Sequence, residues 1–87
     1  MKLPSITHVA ILDNEGNPVA LPAPNRHHHI IRKMAREGHP TPITGEQGFL
    51  LSDGTFVGRT RARIIAMATG QVTQPRHRFH LFSEDLW

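Results

Sequence analysis

Three consecutive histidines, His27, His28 and His29, with His39, His77 and His80 further along, are the first residues to suggest chemistry, because neutral imidazole binds transition metals. Their spacing argues against a shared ion. On a helix, neighbouring side chains point about 100° apart, so three adjacent rings diverge, and a helical metal pair needs i,i+3 or i,i+4 spacing. His77 and His80 are three apart but follow Pro75 in a segment that reads as loop or strand. No metal site is expected. His27 fits a core histidine in the first turn of a helix, its ring hydrogen-bonded to a loop. His28 falls at the edge of the apolar stripe beside Arg26, where it could face a cleft and titrate near neutral pH.

Phosphate chemistry is the second possibility. The start of a helix carries free N–H groups and partial positive charge, and Arg26 with His28 stands at one such start. Arg59, Arg61 and Arg63 stand at another. Arg26, His28, Gln47, Arg59 and Arg63 therefore form a candidate site for a nucleotide or phosphorylated ligand. The bland alternative is exposed arginines at helix starts. No Walker A or dinucleotide glycine pattern is present, and no cofactor is expected. Nucleophilic catalysis lacks its parts: there is no cysteine and no G-x-S-x-G, while Ser52 and Ser83 lie in turn-like contexts. Glu84 and Asp85 are adjacent carboxylates that fit either solvation of the end or pairing with arginines.

Composition narrows the rest. At 87 residues the chain can form one modest core, and residues 1–87 are read as a single domain. Without cysteine there is no disulfide and no sign of an oxidising compartment. Met1 to Asp13 has no secretory apolar region, and no apolar run reaches the ~18 residues that a membrane span needs. A soluble protein of the cytoplasm is expected. Ten Lys and Arg stand against seven Asp and Glu. The bases cluster in Arg26 to Arg36, Arg59 to Arg63 and Arg76 to Arg78. An anionic partner fits this pattern, with His29, Arg32, Lys33, Arg36, Arg76 and Arg78 as the candidate contact surface, although a basic surface also serves solubility. Arg76 to His80 interleaves bases with an aromatic, but the chain has too few aromatics for a stacking platform, and no helix-turn-helix spacing.

The elements that must position these residues can be read from periodicity. Ile6 to Leu12 predicts a strand, Asp13 to Asn17 a turn, and Val19 to Leu21 a return strand opened by Pro18. After Pro22-Ala23-Pro24, Asn25 is the expected N-cap of a helix running to Glu37 and stopped by Gly38. Its buried stripe is His27, Ile30, Ile31, Met34 and Ala35, with His29, Arg32, Lys33 and Arg36 opposite. Thr44 to Gly48 reads as a loop, Phe49 to Val57 as a second hairpin turning at Asp53-Gly54, and Gly58 to Thr69 as a second helix capped by Gly70. Ala62, Ile64, Ile65, Ala66, Met67 and Ala68 make that helix apolar nearly all round, which places it centrally in the core or under another covering. Phe79 to Phe82 reads as a last strand, and the apolar tail from Leu81 to Trp87 as docked on the body. The fold class is α+β in the order ββαββα with a docked C-terminal tail.

Pro24-Asn25-Arg26-His27-His28-His29-Ile30-Ile31, Gly45-Glu46-Gln47-Gly48-Phe49-Leu50, Ser52-Asp53-Gly54-Thr55-Phe56-Val57-Gly58-Arg59, Gly70-Gln71 and Leu81 to Trp87 together resemble a group of small uncharacterised proteins of bacteriophages and prophages. The resemblance implies a non-enzymatic inhibitor of a host defence component, of the anti-CRISPR kind. Such an inhibitor would dock a basic surface on an acidic host protein or nucleoprotein complex. The alternative is a ligand-sequestering protein or minimal enzyme using the cleft around Arg26 and His28.

Overall fold

The structure, a computed structural model, describes residues 4–87. Strands β1 (Ile6–Leu12), β2 (Pro18–Pro22), β3 (Gln47–Leu51) and β4 (Phe56–Gly58) form one antiparallel sheet in the order β2-β1-β3-β4. Both expected hairpins are present. The Asp13 carboxylate stabilises the first turn by accepting the Glu15 and Asn17 N–H groups, and Asp53 accepts from Thr55 in the second. Gln47 and Gly48, expected in a loop, belong to β3. Gly48 is required where the strands close up: a Cβ there would lie 2.2 Å from the Val57 carbonyl oxygen and against the Phe56 ring.

Helix α1 (His27–Arg36) packs on β1 and β2, and α2 (Arg59–Thr69) on β3, β4 and β1. Ile6, Val9, Ile11, Ile30, Met34, Phe49, Leu51, Val57, Ala62, Ala66, Val72 and Leu81 form one continuous core between helices and sheet. The N-cap of α1 is Arg26, one residue later than expected. The Asn25 side-chain amide is held by the Pro22 carbonyl, and His29 Nδ1 accepts the Arg26 N–H at 2.8 Å, doing the work of a capping-box Glu or Gln. At the other end, His39 N–H reaches Met34 and Gly38 N–H reaches Ala35, a Schellman closure with Gly38 left-handed at φ 89°. The α1 stripe buries His27, Ile30 and Met34, half-buries Ile31 and leaves Ala35 exposed.

For the second helix, the first of the two expected arrangements is not found. It is not central: only Ala62 and Ala66 are buried, while Ile64 and Met67 face outward. Ala62 and Ala66 form the centre of its inward face, and Ile65 packs half-buried against the core beside them. Residues 79–82 form no strand either. The Leu81 N–H is taken by the Arg59 carbonyl at 3.1 Å and the Phe82 N–H by the Asp85 carboxylate at 3.0 Å, so this backbone is satisfied without a sheet partner. A short third helix, α3 (Ser83–Leu86), follows instead. The tail does dock: Leu81 is fully buried, Leu86 and Trp87 pack against the core, and the Trp87 indole N–H donates to the Asn25 carbonyl at 2.7 Å.

Candidate functional site

The beginnings of α1 and α2 meet across β3 and β4. Gly58, the N-cap of α2, pairs with Gly48 of β3, and the Gly48 carbonyl accepts from His27 Nε2 at 2.8 Å in the first turn of α1. His27 is buried, with its ring edge-on to Phe49 at 5.1 Å. Burial lowers its pKa from 6.5 and the Arg59 charge adds to this, while the Gly48 bond and Glu84 oppose it. The reading of His27 as a hydrogen-bonded core histidine therefore matches its place, although its partner is a strand carbonyl.

The tail closes this junction. Arg26 donates to the Trp87 main-chain oxygen through Nη2, and its Nη1 lies 3.7 Å from the Glu84 carboxylate. The Arg59 guanidinium stacks over the Phe82 ring, 4.6 Å from its centroid, and its Nε is buried without a hydrogen-bond partner, as is Arg26 Nη1. Of the five candidate ligand residues, Arg26 and Arg59 thus converge on the α3 segment. Gln47 sits at the start of β3 opposite Ile11, beside Gly48. His28 is solvent-exposed, its ring 4.1 Å from that of His29. Arg63 turns the other way and donates from Nε to the His77 carbonyl at 3.1 Å.

The candidate contact residues divide in the same manner. Arg32 and Arg36 are exposed along α1, and Arg78 is exposed on the loop after α2. Lys33 is held by Glu37 at 2.7 Å, four residues on, and Arg76 lies 3.9 Å from the buried Asp85 carboxylate. His29 serves as a cap. Its pKa is lowered, first by desolvation and then by the neighbouring His28, Arg32 and Arg26 charges. Its Nδ1 must be unprotonated to accept the Arg26 N–H.

Among the described residues no group of three or more His, Asp or Glu is placed to hold a metal ion. His77 and His80 stack in parallel at 4.8 Å, and His77 Nδ1 accepts the Phe79 and His80 N–H groups. The ring therefore organises its own loop. Sequence reasoning missed the outer face of α2, where Ile64 is 64% exposed and Met67 43%, and Phe79 on the neighbouring loop, 59% exposed. The all-round apolar pattern of α2 was the available signal. No described helix is long and apolar enough to cross a membrane.

A family model described as "Phage T4 y16D protein" matches residues 5–87, nearly the full length, and the chain belongs to that family. No curated protein and no solved structure matches it.

Proposed function

We propose that this member of the phage T4 y16D protein family is a non-enzymatic binding protein that docks its basic surface on an acidic surface of a host component. Blocking a defence complex, in the anti-CRISPR manner, is the use this reading assigns to it. The observation that carries the proposal is a set of exposed arginines without acidic partners. Arg32, Arg36, Arg61 and Arg78 are exposed and stand outside the three ion pairs of the described residues. Asp13 and Asp53, by contrast, are engaged in hairpin turns. Unpaired cations on the two helices and the loop after α2 attract and orient an anionic partner.

The test is phage survival in a host carrying the defence system, with and without the protein supplied. Replacing Arg32, Arg36, Arg61 and Arg78 by Glu should abolish protection while leaving the melting curve nearly unchanged. Full protection by that variant would remove the proposal.

A second reading, sequestration of a nucleotide or phosphorylated ligand, is favoured by two buried guanidinium nitrogens without hydrogen-bond partners, Arg59 Nε and Arg26 Nη1, the latter with only the Glu84 carboxylate at 3.7 Å. Purified protein would then carry a ligand visible by ultraviolet absorbance and mass, lost in Arg26→Ala.

A further inference from the structure

We infer that the outer face of α2 is the docking site for an acidic protein segment whose apolar side chains seat on Ile64 and Met67. This rests on the reading above and names the part of the basic surface that makes the contact. With Ala62 and Ala66 turned to the sheet, Ile64 and Met67 lie three residues apart on one exposed stripe of the opposite side. Arg61 and Arg63 flank that stripe, and the helix has no acidic residue. The Arg63–His77 bond pins the loop bearing Arg78 and exposed Phe79 alongside it. Apolar anchors rimmed by arginine are the composition of an interface centre.

The outer face of α1 is different in kind. Arg32, Lys33, Ala35 and Arg36 supply charge without a large apolar side chain. Such a face steers an encounter but has little to desolvate. Apolar anchors also select the class of partner. A phosphate backbone would satisfy the arginines yet leave Ile64 and Met67 in water, and base stacking draws on a row of aromatic platforms, where this face offers Phe79 beside α2. A second copy would set one arginine-rimmed face against another. An acidic segment with an aliphatic or aromatic knob satisfies both charge and burial.

The test places a benzophenone amino acid at Ile64, and separately at Arg36, in the full-length protein within the bacterial host. Light should link the Ile64 position to a protein, at a peptide carrying several carboxylates around an apolar side chain. That peptide, made synthetically, should bind wild-type protein in a salt-sensitive way. Ile64→Asp and Arg61→Glu, with unchanged melting curves, should each weaken it at least tenfold. Adducts to nucleic acid, lipid or a second copy would overturn the inference, as would a peptide without acids or one indifferent to Ile64→Asp. Adducts to an acidic protein from the Arg36 position alone would overturn it while sparing the basic-surface reading. Adducts from neither position would overturn both.

Discussion

The two helices lie on the same sheet and share one core, yet they face it in opposite ways. In α1 the large side chains Ile30 and Met34 point inward and the arginines outward, whereas in α2 alanines point inward and Ile64 and Met67 outward. Burial of apolar area drives folding, but a helix held close to a sheet can bury only what fits. Ile65 packs against the core, but Ile64 and Met67 are surplus to folding, and their exposure calls for another explanation.

Breaking this comparison requires substitutions of opposite sense. Met34→Ala should cost about 2–5 kcal/mol and Ala66→Leu about 1–3 kcal/mol, read from chemical denaturation, because one opens a cavity and the other overfills a close contact. Ile64→Ala, with the same loss of aliphatic bulk at an exposed site, should change stability by about 0.5 kcal/mol or less. A cost for Ile64→Ala equal to that for Met34→Ala would mean that α2 is turned the other way. The tail sharpens the contrast, since it binds the start of α1 through Trp87 and Arg26 and the start of α2 through Leu81 and Phe82. Removing Leu86 and Trp87 should cost about 2 kcal/mol and lower the melting temperature by roughly 8–16 °C. An unchanged melting curve would refute the docking.

Acidity should act on α1 rather than α2. His27 and His29 both have pKa values below 6.5 in the folded protein, so the unfolded chain binds more protons as pH falls. Their contribution is whole above pH 6.5 and declines as pH drops through that value toward the folded pKa values. Stability at pH 5 should thus be lower than at pH 7.5. His29→Gln, which keeps an acceptor for the Arg26 N–H, should flatten part of that slope. A slope unchanged in His29→Gln would show that its ring carries none of the effect. The smallest effect is expected on the outer face of α1, where Arg32→Glu with Arg36→Glu should alter stability by about 0.5 kcal/mol or less. A larger loss would show that these side chains support the fold.

Much of this architecture was legible in the sequence, and the limits have physical causes. Turn chemistry at Asp13 to Asn17 and at Asp53-Gly54 set both hairpins, and the single apolar stripe of α1 set its inward face. Periodicity fails for α2 because residues 62, 64, 65, 66, 67 and 68 are all apolar, and only the tight fit of alanine to the sheet decides the orientation. The Phe79 to Phe82 pattern looked like a strand, but the Arg59 carbonyl and Asp85 carboxylate took the hydrogen bonds a strand partner would have supplied. Such long-range bonding leaves no local trace. At the helix starts, the convergence of Arg26 and Arg59 on the tail goes with Gly48 meeting Gly58, a register that no spacing within either helix encodes.

Trp87 is the sole tryptophan in the chain, and there is no tyrosine. Its indole is bonded at the mouth of α1, next to Arg26. Intrinsic fluorescence excited at long wavelength therefore has one source, located where the tail meets the helix it covers. A red shift before global melting would show the tail letting go while the sheet is intact, and a shift coincident with loss of helical circular dichroism would show one cooperative unit. The molecule thus carries an unlabelled optical gauge of its own closure.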